Sequence, residues 1–321
     1  MYDNLDFKLN STEVSNTNFL HEAAKYFDIT GEHNFDGEFV LSGTLNNDFK
    51  ITANRGGISI KGGSLCKWYL GDNFKTLGRG DTQRAIEKLS DTLHLPIDKA
   101  TISRLDVAQN FIVKNPVEVY YNHFGEWKSG NKKSTRAPIM RDGKAEGLYY
   151  YQSNGCSVFY DKIKEQKKKG RPISELYQNR NVLRYEQRYT SRLAQCFSVK
   201  RVAAAMLYSE KFYIDLLNRY KDNYFAIKKI NDVSLNFDNM KGKKDFYTMG
   251  ILALMELQGG ELNLMSQINE AYRSGKLSKK AAFDIRQAVQ AASSEKHGIT
   301  AKNDCILELD KKVVEAVKFC R

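Results

Sequence analysis

The strongest constraint on the fold is a change of hydrophobic period near residue 195. Before it the chain reads as short alternating segments; after it apolar residues recur at helical spacing. In the first part, residues 5–10 alternate weakly, and 15–27 carry Phe19, Leu20, Ala23 and Phe27 at helical spacing. Strands are expected at 38–45, 48–53, 58–61 and 64–70. They are punctuated by Asn46-Asn47 and the pairs Gly56-Gly57 and Gly62-Gly63, which supply tight turns. Asp81 is placed to cap a helix through Leu93, with Ala85, Ile86, Leu89 and Leu93 on one face. A strand over 101–113 follows, then a short helix opened by Pro116, whose locked φ suits a first turn. Residues 127–147, with Lys128, Lys132, Lys133, Arg136, Arg141 and Lys144, read as an exposed loop or mobile hairpin. Strands at 148–152 and 157–162, a basic run over 162–171 and a strand at 182–190 complete this part.

From residue 199 onward Val202, Ala205, Met206, Tyr213, Leu216 and Leu217 form an apolar stripe, and helices are expected at 245–257, 263–274, 278–294 and 309–319. The expected class is therefore α+β: a mainly antiparallel sheet domain over 1–195, then an all-helical domain over 196–321 suited to binding DNA or a partner. Residues 265–292 have the outline of a helix-turn-helix, although plain helix packing accounts for the same pattern.

Lysine and arginine exceed aspartate and glutamate by 50 to 38, a net charge of +12, which favours a polyanionic partner. The five cysteines include no C-x-x-C pair, so free thiols in a reducing cytoplasm are expected. The polar, acidic start Met1-Tyr2-Asp3-Asn4-Leu5-Asp6 does not read as a signal peptide, and the longest apolar run, near 249–255, is too short to span a bilayer.

Three segments place reactive residues two apart in otherwise apolar strands. Side chains alternate along a strand, so Arg104 and Asp106 share a face, as do Tyr160 and Lys162, and Arg184, Glu186 and Arg188. Asp106 and Glu186 supply hard oxygen ligands suited to Mg²⁺ or Mn²⁺, which would polarise a phosphate oxygen for in-line attack. Lys162 beside the phenol would favour the phenolate of Tyr160, a poor nucleophile at its ordinary pKa near 10. Lys164, Lys167, Lys168, Lys169 and Arg171 follow the tyrosine, and Lys133 and Arg136 precede it. These bracket it with phosphate-binding charge, to which Arg104, Arg184 and Arg188 on the strands are expected to add. Tyr149, Tyr150, Tyr151 and Tyr185 are candidates to stack unpaired bases. Each pattern also fits an ordinary salt-bridged strand, and spacing does not select Tyr160 over Tyr149, Tyr150, Tyr151 or Tyr185 among 18 tyrosines.

Five pieces in order narrow the choice: Gly63-Ser64-Leu65-Cys66-Lys67, 100–106, Lys133-Ser134-Thr135-Arg136, Val158-Phe159-Tyr160-Asp161-Lys162 and 182–188. Over roughly residues 40–200 the chain resembles the filamentous-phage gene II/X replication initiators and, more distantly, the rolling-circle initiators of staphylococcal plasmids. The resemblance implies nicking of one strand at a double-stranded origin, a 5′-phosphotyrosine link on Tyr160, and later rejoining. It places the acidic residues on Asp106 and Glu186. Origin DNA, with host helicase and polymerase in a bacterial cytoplasm, are the implied partners. His21, His33, His94, His123 and His297 form no closely spaced pair, unlike the best-known rolling-circle nickases but like this branch; Cys66 stands where relatives often carry histidine. A non-catalytic nucleic-acid-binding regulator, or a relaxase or transposase with the same chemistry, are the alternatives.

Overall fold

A computed structural model of the 321-residue chain describes residues 1–14, 19–35, 37–141, 144–230, 232–233, 240–294, 300–301 and 303–320. Its strands are β1 (Tyr2–Asn10), β2 (Asp28–Phe35), β3 (Glu38–Leu45), β4 (Phe49–Asn54), β5 (Gly57–Lys61), β6 (Thr101–Val113), β7 (Phe124–Ser129), β8 (Lys132–Ser134), β9 (Ala137–Arg141), β10 (Lys144–Gln152), β11 (Gly155–Asp161), β12 (Asn181–Tyr189), β13 (Ile227–Lys229), β14 (Asp232–Val233) and β15 (Thr300–Ala301). The helices are α1 (Phe19–Ala23), α2 (Leu65–Leu70), α3 (Arg79–Leu93), α4 (Val117–Asn122), α5 (Lys162–Lys168), α6 (Leu193–Cys196), α7 (Glu210–Phe225), α8 (Lys243–Leu257), α9 (Glu261–Arg273), α10 (Lys279–Ser294) and α11 (Asp304–Phe319).

Ten strands form one antiparallel sheet in the order β2-β3-β4-β5-β1-β6-β12-β11-β10-β9. The expected α+β class, with an antiparallel sheet first and helices after it, is what the molecule has. Strands β1, β6 and β12 lie at its centre; β12 is buried along nearly its whole length and β6 buries the unbroken run Leu105–Ala108, unlike the alternation of a half-exposed strand. One face packs on α3 and α7. Leu105, Val107, Leu183, Tyr185 and Phe159 meet Ile86, Leu89, Leu216, Tyr220 and Tyr224 in a single core. Phe159 stacks on Tyr185 at 4.5 Å, and Tyr185 meets Tyr220 at 4.4 Å. The two tyrosines lock helix to strand reciprocally: Tyr220 donates to the Tyr185 carbonyl at 3.1 Å and Tyr185 to that of Tyr220 at 3.3 Å.

Several local expectations are corrected. The strand expected at 64–70 is helix α2, because Ser64 caps it, accepting from the Lys67 amide at 3.1 Å, and Gly71 closes it at φ 88°. Strand β2 has no counterpart among the expected elements, because it is an edge strand with few buried residues and no apolar alternation. Of the two readings of 127–147, exposed loop or hairpin, the hairpin is what forms: β7–β8 turns through Gly130 (φ 56°), and edge strand β9, paired with β10, follows. Of the helix expected at 15–27, residues 15–18 lie outside the described residues; Phe19–Ala23 and the 3₁₀ turn Ala24–Tyr26 form its remainder.

The expected break at 195/196 does not separate two cores. Leu216 and Leu217 of α7, and Leu309, Val313 and Val317 of α11, share the core of the sheet. β13 adds to β7 in a second, three-stranded sheet, and β14 pairs with β15. A separate small cluster forms only among α8, α9 and α10, through Met255, Leu264, Ile268, Ala282 and Val289. This unit is tied to the sheet by Glu126 on β7. Its buried carboxylate accepts from the Leu262 amide in the first turn of α9 at 2.8 Å and pairs with Lys128, while its amide donates to the Gly259 carbonyl at 2.9 Å. A side chain on Gly125 would collide with that carbonyl, so the approach requires glycine. No helix among the described residues is long and apolar enough to cross a membrane.

Removing this tie has a local signature. Glu126→Ala is expected to loosen the three-helix unit by about 1–3 kcal/mol. Hydrogen exchange should accelerate in α8–α10 while amides of β6 and β12 keep their protection.

Candidate active site

The face of the sheet opposite the aromatic core carries the polar and charged residues of the three strand motifs. Directly opposed residues of antiparallel strands project to the same side. The register aligns Tyr160 with Arg184 and Arg184 with Asn110; Glu186 lies opposite Val158 and Ala108, and Arg188 opposite Cys156 and Asp106. Tyr160, Asp106, Glu186, Arg104, Arg184 and Arg188 therefore share one face. The three strand motifs do meet.

What joins them is a charge network that is largely buried. Tyr160 donates its phenol proton to Glu186 Oε1 at 2.7 Å, and Arg184 Nε donates to the same oxygen at 2.7 Å. Glu186 Oε2 accepts from Arg188 Nε at 2.8 Å and Nη2 at 2.5 Å. Arg184 also reaches Asp3, Asn110 Oδ1 at 3.0 Å and the Asn73 carbonyl at 3.1 Å. Burial opposes ionisation of Glu186, but Arg184 and Arg188 outweigh it and bring its pKa to about 2. Burial pushes the Tyr160 phenol well above the ordinary tyrosine value, against the pull of Arg184 and with further help from Glu186.

The two expected metal ligands are not open. Both oxygens of Glu186 are taken as above, and Asp106 accepts from Arg104 Nε at 3.0 Å, Arg104 Nη2 at 2.6 Å and Asn4 Nδ2 at 3.1 Å. Burial raises the Asp106 pKa, which Arg104 only partly offsets. The pair does not fit a shared Mg²⁺ or Mn²⁺ in this arrangement, because each carboxylate's lone pairs already point at guanidinium groups. Among the described residues, no group of three or more His, Cys, Asp and Glu side chains is arranged to hold a metal. His297 lies outside the described residues. Cys66 is buried in α2 with its thiol raised to about 11 by burial, and it donates to the Asp72 and Lys75 carbonyls.

Lys162 is placed differently from expectation. Strand β11 ends at Asp161, whose side chain caps α5 by accepting from the Ile163 and Lys164 amides at 2.9 and 3.0 Å. The strand alternation that would align Lys162 with Tyr160 therefore stops one residue early. Its buried ammonium pairs with Glu165 at 2.9 Å and lies over the Phe74 ring; burial and then Arg184 lower its pKa to about 8. Helical spacing instead turns Lys164 and Lys168 outward on one side of α5.

Two clefts meet at Tyr160. The larger, about 460 Å³, is walled by Asp3, Lys50, Lys67, Asn73, Arg171 and Arg188; the smaller, about 240 Å³, by Ile139, Tyr149, Val158, Lys164 and Lys168. Tyr160, Glu165, Lys169 and Arg188 line both. Of the expected phosphate-binding residues, Arg188, Lys164, Lys168, Lys169 and Arg171 line a cleft. Arg104 is half-buried against Asp106, and Arg184 is fully buried and serves structure. Lys133 lies exposed on β8, Arg136 reaches the Phe124 carbonyl, and Lys167 is exposed on α5; none of the three lines either cleft. Asp3, Asn110 and Lys67 join the site without having been expected there. Asn110 continues the alternation Arg104, Asp106, Ala108 and was legible. Asp3 and Lys67 reach the site only through the bulge of β1 and the helical turn of α2.

The network sets the acid stability. The folded-state pKa of Glu186 lies below its ordinary 4.5, so its contribution is present above about pH 4.5 and is lost as pH falls towards about 2. Glu186→Gln is expected to cost about 3–5 kcal/mol at neutral pH, since it takes a buried charged partner from both Arg184 and Arg188. Denaturation curves between pH 2 and 5 should be flatter for the variant than for the parent.

Comparison with curated proteins finds no match. Residues 1–209, which contain the whole sheet and every residue of the network, match the family model for the N-terminal region of the phage replication-associated gene II protein. The chain belongs to this family of filamentous-phage gene II-type replication initiators.

Proposed function

We propose that the protein nicks one strand at a replication origin with Tyr160 as nucleophile and later rejoins that strand. The observation that carries this reading is the position of the Tyr160 phenol at the junction of two cation-lined clefts, on the face where Asp106, Glu186 and Arg188 converge. Family membership supports the replication role.

In this reading the DNA backbone crosses Tyr160 from one cleft to the other. Lys67, Lys169 and Arg171 on one side, and Lys164 and Lys168 on the other, neutralise phosphates without reading sequence. Arg188, partly exposed and anchored by Glu186, faces the scissile phosphate and offsets the charge that grows on it. Glu186 orients the phenol by accepting its proton in a hydrogen bond. Attack forms the Tyr160 Oη–P bond and breaks the P–O3′ bond. The phenol proton passes to solvent water, and the departing 3′ oxygen takes a proton from water, so the proton count is unchanged. The 5′ end stays on the protein, and the free 3′ hydroxyl is left for extension by host helicase and polymerase in the bacterial cytoplasm. A divalent cation reaches Asp106 and Glu186 only by displacing Arg104 and Arg188, so no step is assigned to one.

Supercoiled origin DNA incubated with the protein and Mg²⁺ should yield nicked circles carrying covalent protein. Tyr160→Phe should abolish both product and adduct, and Arg188→Ala should slow nicking by about 10²-fold. Normal nicking by Tyr160→Phe removes the tyrosine from this role. Tight binding with no nicking by the parent protein would favour the non-catalytic regulator.

A further inference from the structure

Strand β10 carries three consecutive tyrosines, and alternation divides them. Tyr150 enters the core, fully buried, and donates to the Gly125 carbonyl at 2.7 Å. Tyr149 and Tyr151 project to the other face, that of Tyr160. Tyr149 lies opposite Val158, Tyr151 opposite Cys156, and Gly147 opposite Tyr160 itself. The rings of Tyr149 and Tyr151 stack with centroids 5.5 Å apart and 23° between planes. Tyr151 is 64% exposed. The Arg188 guanidinium lies 5.7 Å from the Tyr149 ring centroid and donates to its hydroxyl at 3.4 Å.

The aromatic pair continues the smaller cleft. Ile139, Tyr149 and Val158 give that cleft an apolar floor, Lys164 and Lys168 give it a cationic rim, and Tyr160 closes its inner end. Gly147 lets β10 and β11 approach closely beside Tyr160, since a Cβ there would meet the Phe159 carbonyl oxygen at 2.7 Å and the Tyr160 Cβ at 3.3 Å. The larger cleft has no comparable floor; polar and charged side chains dominate its walls. The two sides of Tyr160 thus differ in chemistry, and a nucleotide has two correspondingly different ends.

We infer that the smaller cleft seats the nucleobase next to the scissile phosphate, and that Tyr149 and Tyr151 form the stacking platform for the single strand leading away over β10. The assignment rests on Tyr160 as the reacting centre. The base lies on Ile139, Val158 and the Tyr149 ring, and its phosphate meets Lys164 and Lys168. The next base stacks on the exposed ring of Tyr151, whose centroid lies 5.5 Å from that of Tyr149. Because every base presents a π-face, the platform holds single strands of any sequence and leaves origin choice to other contacts. On the opposite side of Tyr160 the strand is held by its backbone.

The test uses the full-length chain carrying Tyr160→Phe, so that binding is read without cleavage, and a short oligo(dT) containing one 2-aminopurine. Binding should quench the 2-aminopurine fluorescence. Adding Tyr149→Ala should abolish most of the quenching and weaken binding about 5- to 100-fold. Tyr151→Ala should reduce both less, and Tyr149→Phe and Tyr151→Phe should preserve both, since stacking needs the ring and not the hydroxyl. Thermal melting checks that the variants are folded; the exposed Tyr151 serves as the arm least able to disturb the fold. Full quenching in both alanine variants overturns the platform, as does loss of quenching in the phenylalanine variants. The nucleophile is judged separately: if Tyr160→Phe alone still nicks, the reading of Tyr160 falls while the stacking result stands on its own.

Discussion

The fold and the site both depend on burying the guanidinium of Arg184. A charge taken out of water is tolerable only when nearly every donor finds an acceptor. Arg184 finds them on Asp3 of β1, Asn110 of β6, Glu186 of its own strand and the Asn73 carbonyl of the loop crossing the face. Four parts of the chain distant in sequence are thereby held at one register. A slip of one residue in any strand would carry its partner to the opposite face and leave the cation unpaired. Glu186 extends the same restraint to Tyr160 and Arg188, so the geometry of the groups proposed to react is inherited from the interaction that fixes the centre of the sheet.

The two faces of the sheet divide the labour. Phe159, Tyr185 and Tyr150 build a stacked aromatic wall against α7, while their immediate neighbours Tyr160, Glu186 and Tyr149 look the other way. Rigidity on one side supports precision on the other, because side chains on packed strands have little freedom to drift. Helix α5 begins one residue after the strand ends, and this abrupt change sends Lys162 inward and Lys164 and Lys168 outward. A run of lysines that looks uniform in sequence thus splits into one structural cation and a set of surface cations.

Much of this was legible without coordinates. The long strand over 101–113, the helix ending at Leu93, the α+β class and the shared faces within each strand, Arg104 with Asp106 and Arg184 with Glu186 and Arg188, all follow from periodicity, since the geometry of a strand sorts its side chains by parity alone. The failures have definite causes. A seven-residue apolar segment at 64–70 satisfies strand and helix alike, and the Ser64 cap and Gly71 decide it. An edge strand such as β2 buries too little to leave a pattern. Lys162 departs from its expected place because parity holds only while the strand lasts.

By itself, then, the amino-acid order determined which residues point together within each strand, and that the chain is basic, sheet-rich at first and helical afterwards. These are local properties, set by alternation, capping and turn chemistry. Only the tertiary structure decided which strands are neighbours, that Asp3 of β1 pairs with the buried Arg184 of β12, and that α7 and α11 complete the sheet's core. Those outcomes turn on contacts between residues a hundred or more positions apart, such as Asp3 with Arg184, where burial makes the pairing compulsory and nothing in the local sequence names the partner.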